Sequence, residues 1–118
     1  MSNVVNAPVD LRDRTLVFAR DVIRFVRPYQ RDPLARPIVS QLIRSSSSIG
    51  ANFVEAKNAS SKKDFRNKVF ISKKEASETL YWLRLSEEFT QSPELFRLQR
   101  ECQEIILILQ SIVTTLRH

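Results

Sequence analysis

The residues of this chain best equipped for chemistry are its cations. Lys57, Lys62, Lys63, Arg66, Lys68, Lys73 and Lys74 crowd one stretch, with Asp64 the only acid among them before Glu75. Lysine offers a compact point charge and arginine a planar fork, and both bind phosphate. Wound into a helix, Lys62, Arg66 and Lys73 align beside an apolar stripe, and Arg84 continues the line. Lys63 and Lys74 fall further round, and Lys57 precedes the helix at a connection. A ribbon of this kind can follow a phosphate backbone, with Asn67 and the serines of "NASS" adding neutral contacts. Lys57, Lys62, Lys63, Arg66, Lys73, Lys74 and Arg84 are therefore the candidate nucleic-acid-binding residues. No RNA- or DNA-reading motif accompanies them, so weak sequence preference is expected. The plain alternative is a solvated helix face with no ligand.

Other chemistries lack their reagents. His118 is the only histidine and the last residue, so the abundant serines have no internal base. Cys102 is the only cysteine and falls on an apolar stripe, where it packs as a small hydrophobe. One glycine, Gly50, rules out a glycine-rich phosphate loop. No His/Cys/Glu spacing fits a metal. Glu87 and Glu88 are adjacent and do not face one another on a helix. Glu55 shares a side with Arg44 and Ser48 and is expected to make a buried hydrogen bond or ion pair. No catalytic residue, cofactor, metal or small-molecule substrate is expected, and the protein reads as a non-enzyme.

The 118 residues form one domain, 1–118, of net charge +6. Residues 1–74 carry 15 Lys/Arg against 6 Asp/Glu, whereas residues 75–118 carry 4 against 7, so the particle is polarised toward a basic part that could meet a polyanion. No long apolar span or secretory pattern is present, which makes the cytoplasm the expected location, without membrane contact.

The elements that must position these cations are helices. Glycine poverty argues against sandwiches and barrels, and prolines at 8, 28, 33, 37 and 93 punctuate amphipathic segments. Helices are expected over about 13–27, 37–58, 61–88 and 93–117. Phe18, Val22, Phe25 and Val26 mark the first; Ile38, Leu42, Ser46, Ile49, Phe53 and Ala56 the second; Phe65, Val69, Ser72, Ala76, Leu80 and Leu83 the third. The fourth carries Leu95, Leu98, Cys102, Ile105, Leu109, Ile112 and Leu116 in alternating three- and four-residue steps. "PYQRDPLARP" reads as an extended connection. The fold class is all-α, an antiparallel up-down-up-down four-helix bundle.

Within the second helix, "SSSSIGA" lowers helix propensity by roughly 3 kcal/mol in total. Ser45 and Ser46 are expected to face or flank the core and Ser47 and Ser48 to face outward. The segment is thin all round, which lets neighbouring backbones approach on more than one side; buried hydroxyls would bond the carbonyl one turn back. The bland alternative is a local kink.

The third helix is apolar on a second face. Phe70, Tyr81 and Leu85 lie opposite its core stripe, with Ile71, Trp82 and Phe89 beside them, and Leu107 and Ile108 fall outside the seam of the fourth. A monomer would expose this surface, so a homo-oligomer is expected, with Phe70, Tyr81, Trp82, Leu85 and Phe89 in the interface. A short, splayed bundle that packs both faces internally is the alternative.

Ser45–Glu88 resembles the four-helix bundle proteins related to the 23S rRNA intervening-sequence protein. Ile49, Asn52, Glu55 and Ala56 match one motif; Ser61, Asp64 and Phe65 a second; Lys74, Glu75, Ala76, Glu78, Thr79, Tyr81, Trp82 and Leu83 a third. The resemblance implies a homopentamer and a nucleic-acid role, since some members are encoded inside rRNA insertions and related proteins that accompany diversity-generating reverse transcriptases bind nucleic acid. It supplies no catalytic residues. The expected function is an oligomeric adaptor that binds RNA or DNA through replicated basic ribbons; the alternative is a protein–protein scaffold without a nucleic-acid ligand.

Overall fold

Asp10 opens the first helix, its carboxylate accepting the Arg12 amide at 2.9 Å. The computed structural model describes residues 10–116. Its helices are α1 (Leu11–Val26), α2 (Arg36–Lys57), α3 (Lys62–Leu85) and α4 (Pro93–Leu116), with 3₁₀ turns at Arg27–Tyr29 and Ser86–Glu88 and no strand among the described residues. The expected helices agree to within three residues. Residues 1–9 of the expected domain, and Arg117 at the expected end of the fourth helix, lie outside the described part.

Three sets of contacts fix the antiparallel order. Ser45 and Ile49 of α2 meet Thr79 and Ser72 of α3. Gln99 and Cys102 of α4 meet Leu83 and Ala76 of α3. Arg14 and Asp21 of α1 pair with Glu101 and Arg97 of α4. The pair α2–α3 has the most extensive contact and α1–α4 the least. The core between them is aliphatic and aromatic, with Phe18, Leu42, Ile49, Leu83, Leu98, Ile105 and Leu109 buried. Each fully buried side chain of this kind contributes about 1.5–3 kcal/mol.

The serine run does what its thinness suggests. A Cβ built on Gly50 would lie 2.8 Å from Thr15 Oγ1, so α1 presses against α2 there. On another side Ser72 donates to the Ile49 carbonyl at 2.7 Å, bringing α3 equally close. Ser45 and Ser46 are buried, Ser47 is exposed and Ser48 half-buried. The hydrogen bonding differs from expectation. The back-bonds to Arg44 come from Ser47 and Ser48, at 3.0 and 2.8 Å, while Ser45 shares a 2.8 Å hydroxyl–hydroxyl bond with Thr79. Ser46 Oγ is buried without a partner. A buried unpaired hydroxyl costs about 1–3 kcal/mol. Ser46→Ala is expected to stabilise the protein by ~1 kcal/mol in urea unfolding, since it removes that cost and improves helix propensity. A loss of stability would mean that the hydroxyl has a partner.

The last turns of α4 also depart from the heptad. Val113 is buried, whereas Ile112 and Leu116 are only half-buried. A straight helix drifts about 20° per heptad, so the seam passes to the neighbouring residue. The α1–α2 connection is not extended. Pro28 is the second residue of the 3₁₀ turn Arg27–Tyr29, the Tyr29 hydroxyl donates to Thr90 Oγ1 at 2.9 Å, and the Tyr29 ring packs on Phe25 and Phe89.

Candidate nucleic-acid interface

The basic ribbon is launched by a helix cap. Ser61 has extended backbone and its hydroxyl accepts the Asp64 amide at 3.0 Å, which starts α3 at Lys62. From Lys62 to Arg84 the helix rises about 33 Å, close to one turn of a nucleic-acid duplex. Lys62, Arg66 and Arg84 are exposed and Lys73 is half-buried, along the edge of α3 nearest α4. Lys63 and Lys74 are exposed further round, and Lys57 is exposed in the last turn of α2.

Among the described residues none of these seven cations enters an ion pair. Elsewhere Arg20, Arg27, Arg31, Arg36 and Arg100 are likewise outside any ion pair among the described residues, whereas other charges are matched across helices. Arg14 grips Glu101 with two bonds of 2.7 and 2.8 Å and reaches Glu104 at 3.0 Å, and these hydrogen bonds raise its pKa further above its ordinary value. Arg97 holds Glu94 and Asp21. Arg44 bridges α2 to Glu75 and Glu78 of α3, and the Trp82 indole N–H donates to Glu78. That indole bond, aided by Arg44, holds the Glu78 carboxyl below the usual carboxylate range. Lys68, a member of the same basic stretch, turns to the α2 side and pairs with Glu55 at 2.8 Å. Glu55 thus makes the expected ion pair, but an exposed one, because α2 turns that position toward solvent.

Beside the ribbon, the seam between α3 and α4 holds two shallow hollows. One, of about 350 Å³, is lined by Arg66, Asn67, Phe70 and Val113. The other, of about 330 Å³, is lined by Leu80, Gln103, Ile106 and Leu107. Asn67, expected as a neutral phosphate contact, therefore lies next to Arg66. Gln103 also borders the seam; it was not singled out from sequence, because only the packing of α4 on α3 brings it there.

The apolar candidates separate into two groups. Phe70 and Tyr81 are 51% and 60% exposed, and Leu85 is exposed too. Trp82 and Phe89 are half-buried against the core, Trp82 bonded to Glu78 and Phe89 stacked on Tyr29. On α4, Leu107 is 68% exposed.

Cys102 is buried and donates to the Ala76 carbonyl at 3.2 Å, and burial pushes its thiol up to about 12. It packs as a small hydrophobe. The described residues include no group of side chains that could hold a metal ion, and no helix among them is long and apolar enough to cross a membrane.

Residues 9–111 of the chain match the family model of the 23S rRNA-intervening sequence protein. The chain belongs to that family. A similar solved structure is that of a protein of unknown function from the S23 ribosomal protein family, from Bacteroides thetaiotaomicron. It superposes with a TM-score of 0.81 at 34% identity, covering 88% of this chain and 98% of its own. No curated protein matches the chain. Membership thus gives the fold and a set of relatives without an assigned activity, and the functional reading returns to the surface itself.

Proposed function

We propose that this member of the intervening-sequence family is a non-enzymatic oligomeric protein that binds RNA, or structured nucleic acid generally, through the α3 ribbon. The observation that carries the reading is the concentration of Lys57, Lys62, Lys63, Arg66, Lys73, Lys74 and Arg84 along α3 and the adjoining end of α2, none of them in an ion pair among the described residues. Unmatched cations on one helix favour a polyanion, whose condensed counterions they release. The rRNA in the family name agrees with such a ligand. Filter binding at two salt concentrations tests it: affinity is expected to collapse between low and moderate salt, and binding that ignores salt would overturn the proposal.

Oligomerisation would replicate the ribbon and multiply weak contacts. The exposed apolar side chains Phe70, Tyr81 and Leu85 support it, and the family resemblance suggests a pentamer. Replacing Tyr81 and Leu85 with aspartate is expected to lower the mass measured by light scattering to that of a smaller assembly or protomer. An unchanged mass would place the interface elsewhere. The same exposed apolar surface also favours the second reading, a protein–protein scaffold; salt-insensitive behaviour with no nucleic-acid binding would select it.

A further inference from the structure

We propose that the α1–α2 connection is a second phosphate-backbone contact, made by Arg27, Arg31 and Arg36, separate from the α3 ribbon. This inference rests on the nucleic-acid reading above and adds residues to it. Arg36 and Lys57 are the first and last residues of α2, so this element stands about 32 Å along the bundle from the Lys57–Lys62 end of the ribbon. The ribbon's far member, Arg84, is in the last turn of α3 and runs toward the same end as the connection.

Three observations carry it. First, Arg27, Arg31 and Arg36 are exposed and enter no ion pair among the described residues. Second, none of the nearby acids pairs with these arginines among the described residues. Asp32 accepts the Leu34 amide at 2.9 Å, Asp21 pairs with Arg24 and Arg97, and Glu94 pairs with Arg97. Glu87 accepts from the neutral Gln99 amide, and Glu88 has no bonded partner among the described residues, so both keep their charge at this end. Third, the backbone that carries the arginines is fixed. Tyr29 is anchored to Thr90 and Phe89, Asp32 N–H donates to the Tyr29 carbonyl at 3.1 Å, Arg36 N–H donates to the Asp32 carbonyl at 2.9 Å, and Ala35 is fully buried. Pro28, Pro33 and Pro37 further restrict it. Guanidinium groups on a pre-ordered segment lose less entropy on binding, and their forks match phosphate oxygens.

Leu34, 72% exposed between Arg31 and Arg36, offers the competing chemistry of an apolar contact with protein or lipid. The test therefore uses four proteins and a labelled RNA duplex longer than the bundle, read by anisotropy across a salt series. The variants are Arg27→Glu with Arg31→Glu, Leu34→Ala, and the ribbon reversal Lys62→Glu, Arg66→Glu, Lys73→Glu. The arginine variant is expected to bind roughly tenfold or more weakly and to lower the salt slope by about two, with Leu34→Ala indistinguishable from wild type. Unchanged affinity and slope in the arginine variant, while the ribbon variant loses binding, overturns this inference and leaves the ribbon reading standing. Loss in the arginine variant alone overturns the ribbon and upholds the connection. Loss in Leu34→Ala equal to that of the arginine variant marks an apolar docking surface and overturns the phosphate assignment. A wild-type protein that fails to bind the duplex overturns both.

Discussion

The triple variant Lys62→Glu, Arg66→Glu, Lys73→Glu is expected to lose roughly 100-fold or more in nucleic-acid affinity at low salt while retaining its helix content and assembly mass. Each reversal removes one attraction and adds one repulsion. Together they take the net charge from +6 to zero, with the whole change placed on one edge of α3. Because none of the three cations is engaged in an ion pair among the described residues, their loss breaks no salt bridge there. The slope of log K against log salt is expected to fall by about three, one for each lost phosphate contact. A single Arg12→Glu change separates contact from overall charge. Arg12 already holds Asp10 and is expected to contribute little to binding. Affinity that survives the triple reversal would show that the ribbon is a solvated face.

The second large effect concerns stability. Gly50→Val is expected to destabilise the protein by about 3 kcal/mol, lowering Tm on the order of 10 °C. Glycine inside a helix is normally about 1 kcal/mol worse than alanine, so substitution at an open site would stabilise. Here the new Cβ meets Thr15 Oγ1 at 2.8 Å and Thr15 Cβ at 3.2 Å. Thr15 is itself buried and its hydroxyl donates to the Leu11 carbonyl at 2.8 Å, so it cannot swing aside without moving α1. Overpacking of this kind costs about 1–3 kcal/mol, which exceeds the propensity gain even for Gly50→Ala. Thr15→Ala removes the closer atom. The two alanine changes combined are therefore expected to cost less than the sum of each alone, a coupling that urea titration of the four proteins measures. A Gly50→Ala protein more stable than wild type would show that α1 and α2 are free to separate.

The two predictions draw on different depths of the sequence. The ribbon is legible from types and spacing, because Lys62, Arg66, Lys73 and Arg84 keep helical steps beside a stripe whose apolar residues are unmistakable. Lys68 is not legible in the same way: it belongs to the same run, yet only the placement of α2 reveals Glu55 at 2.8 Å and takes it out of the free set. The fixed placement of the arginines in the α1–α2 connection is not legible either, for a related reason. Three prolines suggest an extended strap, and nothing local announces that Tyr29 reaches across to Thr90 and folds it into turns. The aromatic candidates divided likewise, since helical spacing places Phe70, Tyr81 and Trp82 off the core stripe but cannot tell which ring a neighbouring helix half-covers.

Periodicity, capping residues and glycine poverty by themselves determined that this chain makes four helices, where they begin to within two residues, and which stripe of each turns inward apart from the last turns of α4. These are local consequences of backbone geometry and of removing apolar side chains from water. Tertiary structure alone decided which polar groups would be matched: Ser45 with Thr79, Lys68 with Glu55, and, among the described residues, Ser46 with nothing and the ribbon with no carboxylate. Hydrogen bonds and ion pairs depend on distances of a few ångströms between residues far apart in the chain. Those distances exist only after the helices have packed, and in this protein they are set where Gly50 lets α1 close on α2.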